Sequence, residues 1–307
     1  MKKLILFLLP LWLFAEAHIF VLHRIDDNRH PYTNTSSKEL IKYFEYLKSH
    51  NYKCVKLSTL VKMRKNGENI DKIVVFTIDD SYKSFYKNAL ALFEKYKIPF
   101  TLFVYTKATS QKWGDFMTWR QVKTCAKFGE LGVHSWAHPH LAKLDDKEII
   151  KDTQKAIESF KKHIGKVPCM YAYPYGEYDK RVKNIINSFF SVIVNQNSGA
   201  FSSHSPINDI DRIALTGKVD ISKKLKIKTL EIKNLQIKRN KNTITEISGE
   251  VNKPYINIYI TKLGWKRIKV KNARFEYKPN FTLKKYRNRV IIRYNYEMIS
   301  KLILKES

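Results

Sequence analysis

The stretch VVFTIDDSYKSFY, Val74 to Tyr86, is an apolar run that ends in two adjacent carboxylates, Asp79 and Asp80, and then turns helical. Apolar residues without alternation are what a strand buried on both faces requires, the condition of parallel strands covered by helices. The same texture recurs in HIFVLH (18–23), FTLFVY (100–105), LGVHS (131–135), MYAYPYG (170–176) and FSVIVN (190–195). Amphipathic stretches separate these runs. SSKELIKYFEYLKSHNY begins with a serine cap and puts Leu40, Phe44 and Leu47 on one face; a second stretch has Asp145 and Glu148 in a capping-box spacing and ends at Gly165. Helices that regularly separate buried strands predict an α/β domain, a barrel or a doubly wound sheet, over residues 18–216.

After Thr216 the period changes to two. The segments KTLEIKNLQIKRNKNTITEISGEV, YINIYITKLGWKRIKV, ARFEYKPNFTL and NRVIIRYNYEMI alternate apolar with polar residues, with turn signals at Arg239-Asn240, Gly249 and Pro279. Residues 217–307 are therefore expected to form a small antiparallel β domain. They carry 24 Lys and Arg against 7 Asp and Glu, so net +17 of the chain's +29 lies in this third. The charge has two readings: a solvated lysine-rich surface, or attraction to acidic glycans and phosphate-bearing surfaces. Hydrophobic residues at 44% and aromatics at 13% are ample for a core, which excludes global disorder.

Residues 1–17, MKKLILFLLPLWLFAEA, have two lysines, an apolar run of 11 residues from Leu4 to Phe14, and Ala15-Glu16-Ala17, the form of a cleaved export signal. The run is shorter than the ~20 residues a membrane-spanning helix needs. The mature chain is expected to begin at His18 and to be periplasmic or secreted, where no nucleic acid partner is expected. Cys54, Cys125 and Cys169 form no Cys-x-x-Cys pair, which disfavours a cysteine metal site. They read as small buried residues, with room for one disulfide.

In βα architectures the reacting groups sit at the C-terminal ends of strands. Asp79 and Asp80 occupy one such end, His134, His138 and His140 of GVHSWAHPH a second, and Tyr173, Pro174 and Tyr175 a third. Two imidazoles and a carboxylate make a common catalytic site for a divalent ion, and a second carboxylate beside it can accept a proton. Adjacent strand residues face opposite ways, so both aspartates reach one site only if the strand ends between them. Taken singly, an Asp-Asp pair also serves as a helix cap, His-x3-His is often incidental, and Tyr-Pro-Tyr-Gly is a plain turn.

TIDDS (77–81), HSWAHP (134–139) and YAYPYG (171–176) resemble the first three motifs of the polysaccharide deacetylases, carbohydrate esterase family 4, also called the nodulation-protein-B homology domain. The resemblance covers residues 18–216. VLHRIDD (21–27) and IDRIAL (210–215) further resemble the branch that acts on poly-N-acetylglucosamine. The resemblance implies an irregular (β/α)7 barrel with an open groove for an N-acetylated glycan polymer. It implies Asp79 as general base, and Asp80, His134 and His138 as ligands of a divalent metal ion, zinc first, with cobalt, nickel or iron also accepted. It implies Tyr175 as the backbone N–H donor to an oxyanion.

Tyr173, Pro174, Trp136 and Arg212 are expected at the substrate, and Trp113, Trp119 and Tyr175 are further candidates to line the groove. The chain departs from the family in three places. Ser81 stands for the usual glycine, which asks for a turn without positive φ. The arginine that aids the base in the third motif is missing, with Tyr171 in its region. No Leu-x-His motif follows, and His204 in FSSHSP is the sole histidine after the third motif; the resemblance to the poly-N-acetylglucosamine branch, which uses a histidine of the N-terminal strand, implies His23 as the acid, a buried structural histidine being the other reading. The reading is a metal-dependent N-deacetylase of an N-acetylhexosamine polysaccharide, its basic domain toward an anionic envelope surface. The alternatives are a catalytically weak or inactive glycan-binding protein on the same barrel, and a structural envelope protein.

Overall fold

The computed structural model describes residues 15–306. Most of the expected export signal lies outside the described residues; its tail, Ala15–Ala17, leads into and begins the first strand. The apolar runs form strands β1 (Glu16–Leu22), β2 (Ile73–Ile78), β3 (Phe100–Val104), β4 (Glu130–Val133), β5 (Met170–Ala172) and β6 (Val192–Val194), which pair in that order and all run parallel. The side chains of β2 and β3 are buried throughout, which is why their sequences do not alternate.

Two apolar layers sandwich this sheet. Phe20, Phe76, Ile78 and Leu102 face outward onto helices, including Ser37–Ser49 and Asp146–Ile164. Ile19, Val75, Phe103, Ala172 and Val194 face inward, where the helix Leu57–Lys65 adds Leu57, Leu60 and Val61. Both caps read from the sequence are present: Ser36 accepts from the Glu39 N–H, and Asp145 and Glu148 bond reciprocally before a helix that ends at left-handed Gly165.

The sheet curls as a half-barrel and is not built of seven equal units. Two short strands flank β1 on its free side: β7 (Phe201–Ser202), antiparallel, which the sequence pattern did not predict, and β8 (Ile213–Ala214), parallel, which lies within IDRIAL (210–215), the segment that resembles a late arginine-bearing strand. Before β8, the Ile210 N–H bonds the Ile193 carbonyl and the Ile210 carbonyl accepts the Asn195 N–H, so residues 207–214 cross from β6 to β1.

The period-two region forms β9 (Lys228–Thr229), β10 (Lys233–Asn240), β11 (Thr243–Glu250), β12 (Tyr255–Ile260), β13 (Gly264–Lys269), β14 (Arg274–Tyr277), β15 (Phe281–Thr282), β16 (Arg287–Tyr294) and β17 (Glu297–Leu304). One sheet has the order β9-β17-β16-β12-β13; the other is β10-β11-β14 with β15 also on β11. Ile256, Ile258, Val290 and Ile292 of the first sheet share a core with Ile244, Ile247 and Phe275 of the second. Gly249, read as a turn, lies inside β11, where a Cβ would stand 2.7 Å from the Ile232 side chain.

The boundary falls about ten residues later than the change of period. Ile221 and Leu225 pack into the outer layer of the barrel, and the Val219 N–H donates to the Tyr43 hydroxyl. The β domain is docked rather than tethered. The Glu16 carboxylate accepts from the Thr229 N–H at 2.7 Å, the His18 ring bonds the Ile227 carbonyl at 2.9 Å, and the Leu302 N–H donates to Asn197 Oδ1 at 2.8 Å. Cys54, Cys125 and Cys169 are unpaired, and Cys169 is exposed where burial was expected. Among the described residues, no helix is long and apolar enough to cross a membrane.

Candidate active site

Strand β2 stops at Ile78, and the two aspartates that follow diverge. Asp79 continues the inward face of Thr77, with its N–H bonded to the Leu22 carbonyl. Asp80 has φ 70° and Ser81 φ 56°, so both are left-handed. The expectation that serine avoids positive φ here is corrected. Ser81 tolerates the strain because its hydroxyl donates to the Asp80 carbonyl and lies 3.2 Å from the Thr109 hydroxyl, while its carbonyl accepts the Met117 N–H. Ser135 (φ 62°), His138 (φ 53°) and Tyr175 (φ 58°) repeat the pattern at the other two strand ends. Left-handed non-glycine residues cost on the order of 1–3 kcal/mol each and persist where surrounding contacts over-determine them.

Asp80, His134 and His138 converge. Asp80 Oδ1 lies 3.3 Å from His134 Nε2 and 3.2 Å from His138 Nε2, and the two Nε2 atoms are 3.2 Å apart. His134 Nδ1 bonds the Ala172 carbonyl at 2.8 Å, which fixes the ring and turns Nε2 to the centre. Burial lowers the basicity of His134, but the Asp79 and Asp80 carboxylates outweigh it and raise its pKa. The centre thus calls for a cation. Burial disfavours ionised Asp80, yet His134 and His138 hold its carboxyl well below the usual range. Donors of a tetrahedral ion with ~2.0–2.1 Å bonds stand ~3.3 Å apart, so this N, N, O set fits a divalent metal.

Asp79 is fully buried and bound by Arg212, Nη1 to Oδ1 at 2.8 Å and Nη2 to Oδ2 at 2.7 Å. Burial pushes its pKa up, and the Arg212 guanidinium together with His134 and His23 more than reverses this. Arg212 was expected at the substrate. It is 1% exposed and also donates to Thr77 Oγ1 and the Asn195 carbonyl, so it acts on Asp79 instead. The guanidinium that the third motif lacks is thereby supplied from the segment that closes the sheet. His23 stands at the end of β1 with Nε2 4.0 Å from Asp79 Oδ2; burial lowers its pKa more than the carboxylates Asp79 and Asp80 raise it.

The histidine loop hangs from Asp152, on the buried stripe of helix Asp146–Ile164. Its carboxylate accepts the N–H groups of Trp136 and Ala137 at 2.9 and 2.8 Å. An aspartate between Ile149 and Ala156 on an apolar face was the signal in the sequence. Tyr105, also missed, packs its ring 5.3 Å from that of His138 and donates its hydroxyl to the Ala137 carbonyl.

Tyr175 lies 4.4 Å from the His138 ring and stacks on His140 at 4.3 Å. Tyr173 and Pro174, expected at the substrate, are buried. Tyr173 stacks on Tyr178 at 4.6 Å, because the turn that exposes Tyr175 sends its neighbours inward. Trp136 is half-buried beside the ligands and Trp113 is exposed. Trp119 is a core residue bonded to Ser110 and stacked on His163. His204 is on an exposed loop.

Residues 66–189 match the family model described as polysaccharide deacetylase. Over 172 residues the chain is 28% identical to a poly-beta-1,6-N-acetyl-D-glucosamine N-deacetylase of Staphylococcus aureus, a match that covers 48% of this chain and 59% of that protein. Its fold is similar to that of the Streptococcus pyogenes deacetylase PplD (TM-score 0.61, 20% identity, 66% of this chain and 93% of that one). It is also similar to IcaB from Ammonifex degensii (TM-score 0.58, 23% identity, 66% and 92%).

Proposed function

We propose that this chain, whose residues 66–189 match the polysaccharide deacetylase family model, removes acetyl groups from a poly-N-acetylglucosamine-type polymer outside the cytoplasm. The observation that carries this reading is the juxtaposition of the Asp80, His134 and His138 donor set with a second carboxylate, Asp79, ion-paired by Arg212 and 4.0 Å from His23.

Asp80, His134 and His138 would hold the divalent ion, zinc or else cobalt, nickel or iron, which when bound supplies Lewis acidity and a more acidic water. Asp79 is the base. Arg212 keeps it ionised and fixes its plane, so that it takes the proton from the attacking water. The Tyr175 N–H donates to the oxyanion that forms at the acetyl carbonyl. His23, with Nε2 4.0 Å from Asp79 Oδ2, is the acid: its neutral ring takes up the proton that Asp79 has accepted from the water and passes it to the leaving amine. Trp136 and Tyr175 offer rings to the apolar C–H faces of the sugar. The leader-like run ahead of β1, residues 1–14, supports export, and the basic C-terminal third supports a general, salt-screened attraction to anionic envelope material.

The test is acetate release by the full chain from β-1,6-linked N-acetylglucosamine oligomers, before and after removal of divalent metal. Release that disappears with the metal and returns on adding zinc or cobalt is the expected result. Stoichiometric metal with no acetate from any N-acetylated oligomer overturns the reading.

A further inference from the structure

The C-terminal β domain reaches the active-site turn through one strand. Arg287 and Arg289 are two apart on β16, so their side chains leave the same face. Arg287 donates from Nη2 to the Tyr175 carbonyl, and its Nε lies 3.2 Å from Glu177 Oε1. Glu177 is fully buried, and its other oxygen is 2.6 Å from His140 Nδ1. Tyr286, next to Arg287, meets the His140 ring edge-on at 5.5 Å, with the Lys143 ammonium 4.4 Å from its own ring centre. Arg289 donates to the Gln196 carbonyl at 2.8 Å, and the Gln196 side chain lies 2.4 Å from where a Cβ on Gly176 would stand. The Tyr175-Gly176-Glu177 turn is therefore gripped from both sides, by Arg287 directly and by Arg289 through Gln196.

We propose that Arg287 is a positioning residue for Tyr175, and that the β domain thereby completes the catalytic site that the barrel alone leaves loose. Tyr175 has to hold φ 58° against its intrinsic preference, and the charged bond to its carbonyl is one of the contacts that over-determine it. Glu177 ties the same guanidinium to His140, whose ring is stacked on Tyr175. The catalytic consequence rests on the N-deacetylase reading; the mechanical one does not.

The experiment uses the full chain and two readouts. Amide exchange of Gly176 and Glu177, whose N–H groups donate to the Tyr173 and Pro174 carbonyls, reports the turn. Kinetics on N-acetylglucosamine oligomers report catalysis. Arg287→Ala is expected to speed exchange of those amides by roughly tenfold or more and to lower kcat about 10- to 100-fold with KM little changed, as for a misplaced oxyanion donor. Arg287→Lys can reach only one of its two partners and should recover part of both.

Arg293→Ala, farther along the same strand, should match wild type. Because Arg287→Ala leaves one oxygen of the buried Glu177 carboxylate without a partner, Arg287→Ala with Glu177→Gln keeps the fold testable and should show the same faster exchange. Unchanged exchange in both Arg287→Ala variants overturns the proposal, as does an equal loss in Arg293→Ala. If the wild type releases no acetate, the N-deacetylase reading falls while exchange still decides the clamp.

Discussion

Asp79 and Asp80 are neighbours in sequence and are proposed for different roles because Asp79 still bonds the Leu22 carbonyl of β1 while the left-handed φ of Asp80 turns it away toward the histidines. Asp79→Asn keeps the shape and removes the proton acceptor. Metal content should be unchanged and turnover should fall by ~10²–10⁴ in steady-state assays. His134→Ala should instead abolish stoichiometric metal, read by elemental analysis after dialysis. Arg212→Met leaves the Asp79 carboxylate buried without a partner, a loss of about 3–5 kcal/mol in urea unfolding. Arg212→Met combined with Asp79→Asn should recover much of that loss, since the orphaned charge is gone. The convergence of Asp80, His134 and His138 was legible because each comes from a short local motif. Arg212 was legible as a residue but not in its task, since the guanidinium meets a carboxylate 133 positions away, at a place no spacing rule reaches. Ser81 misled for a related reason: its left-handed φ is stabilised by the Thr109 and Met117 contacts, which only the tertiary structure supplies.

Among the elements, the long helices and strands β1 to β3 follow directly from apolar period and caps. The strand β7 does not, because two residues carry no period, and β8 was readable only through the resemblance of IDRIAL; both exist through pairing with β1. The docked segment 217–227 was assigned to the wrong body for a similar reason: its charge resembles the β domain, while Ile221 and Leu225 belong to the barrel core. The helix Asp146–Ile164 has a second task besides covering the sheet, since Asp152 suspends the loop that carries His134 and His138. Asp152→Ala frees the Trp136 and Ala137 N–H groups without touching a donor atom. Zinc affinity measured by competition titration should drop about 10- to 100-fold, the usual effect of losing support behind a ligand, with the unfolding transition still cooperative.

The whole molecule is one docked assembly whose joint contains an ionisable group in an unfavourable place. Asp211, beside Asn195 and Asp209 in the closing segment, has its pKa pushed up to about 6 by burial, which the nearby Lys301 of β17 only partly opposes. The folded chain therefore keeps this proton between about pH 4, where an ordinary aspartate has begun to release it, and about 6. Stability is greatest on this account at the acid side of that window and is lost as pH rises through it. Asp211→Asn should raise the urea midpoint at pH 7.5, leave it nearly unchanged at pH 4, and flatten the slope between. The position of β1 has a consequence for how the chain is made. The first strand lies between β2 and strands that begin some 180 residues later, and Arg212 closes on Asp79 in the same segment. A nascent chain released in N-to-C order can build the middle of the sheet early, but its first strand keeps an open edge until residue 214 has emerged. Closure of the sheet and assembly of the base then arrive together as one late, long-range event, so intermediates truncated before that residue should be protease-sensitive and without activity.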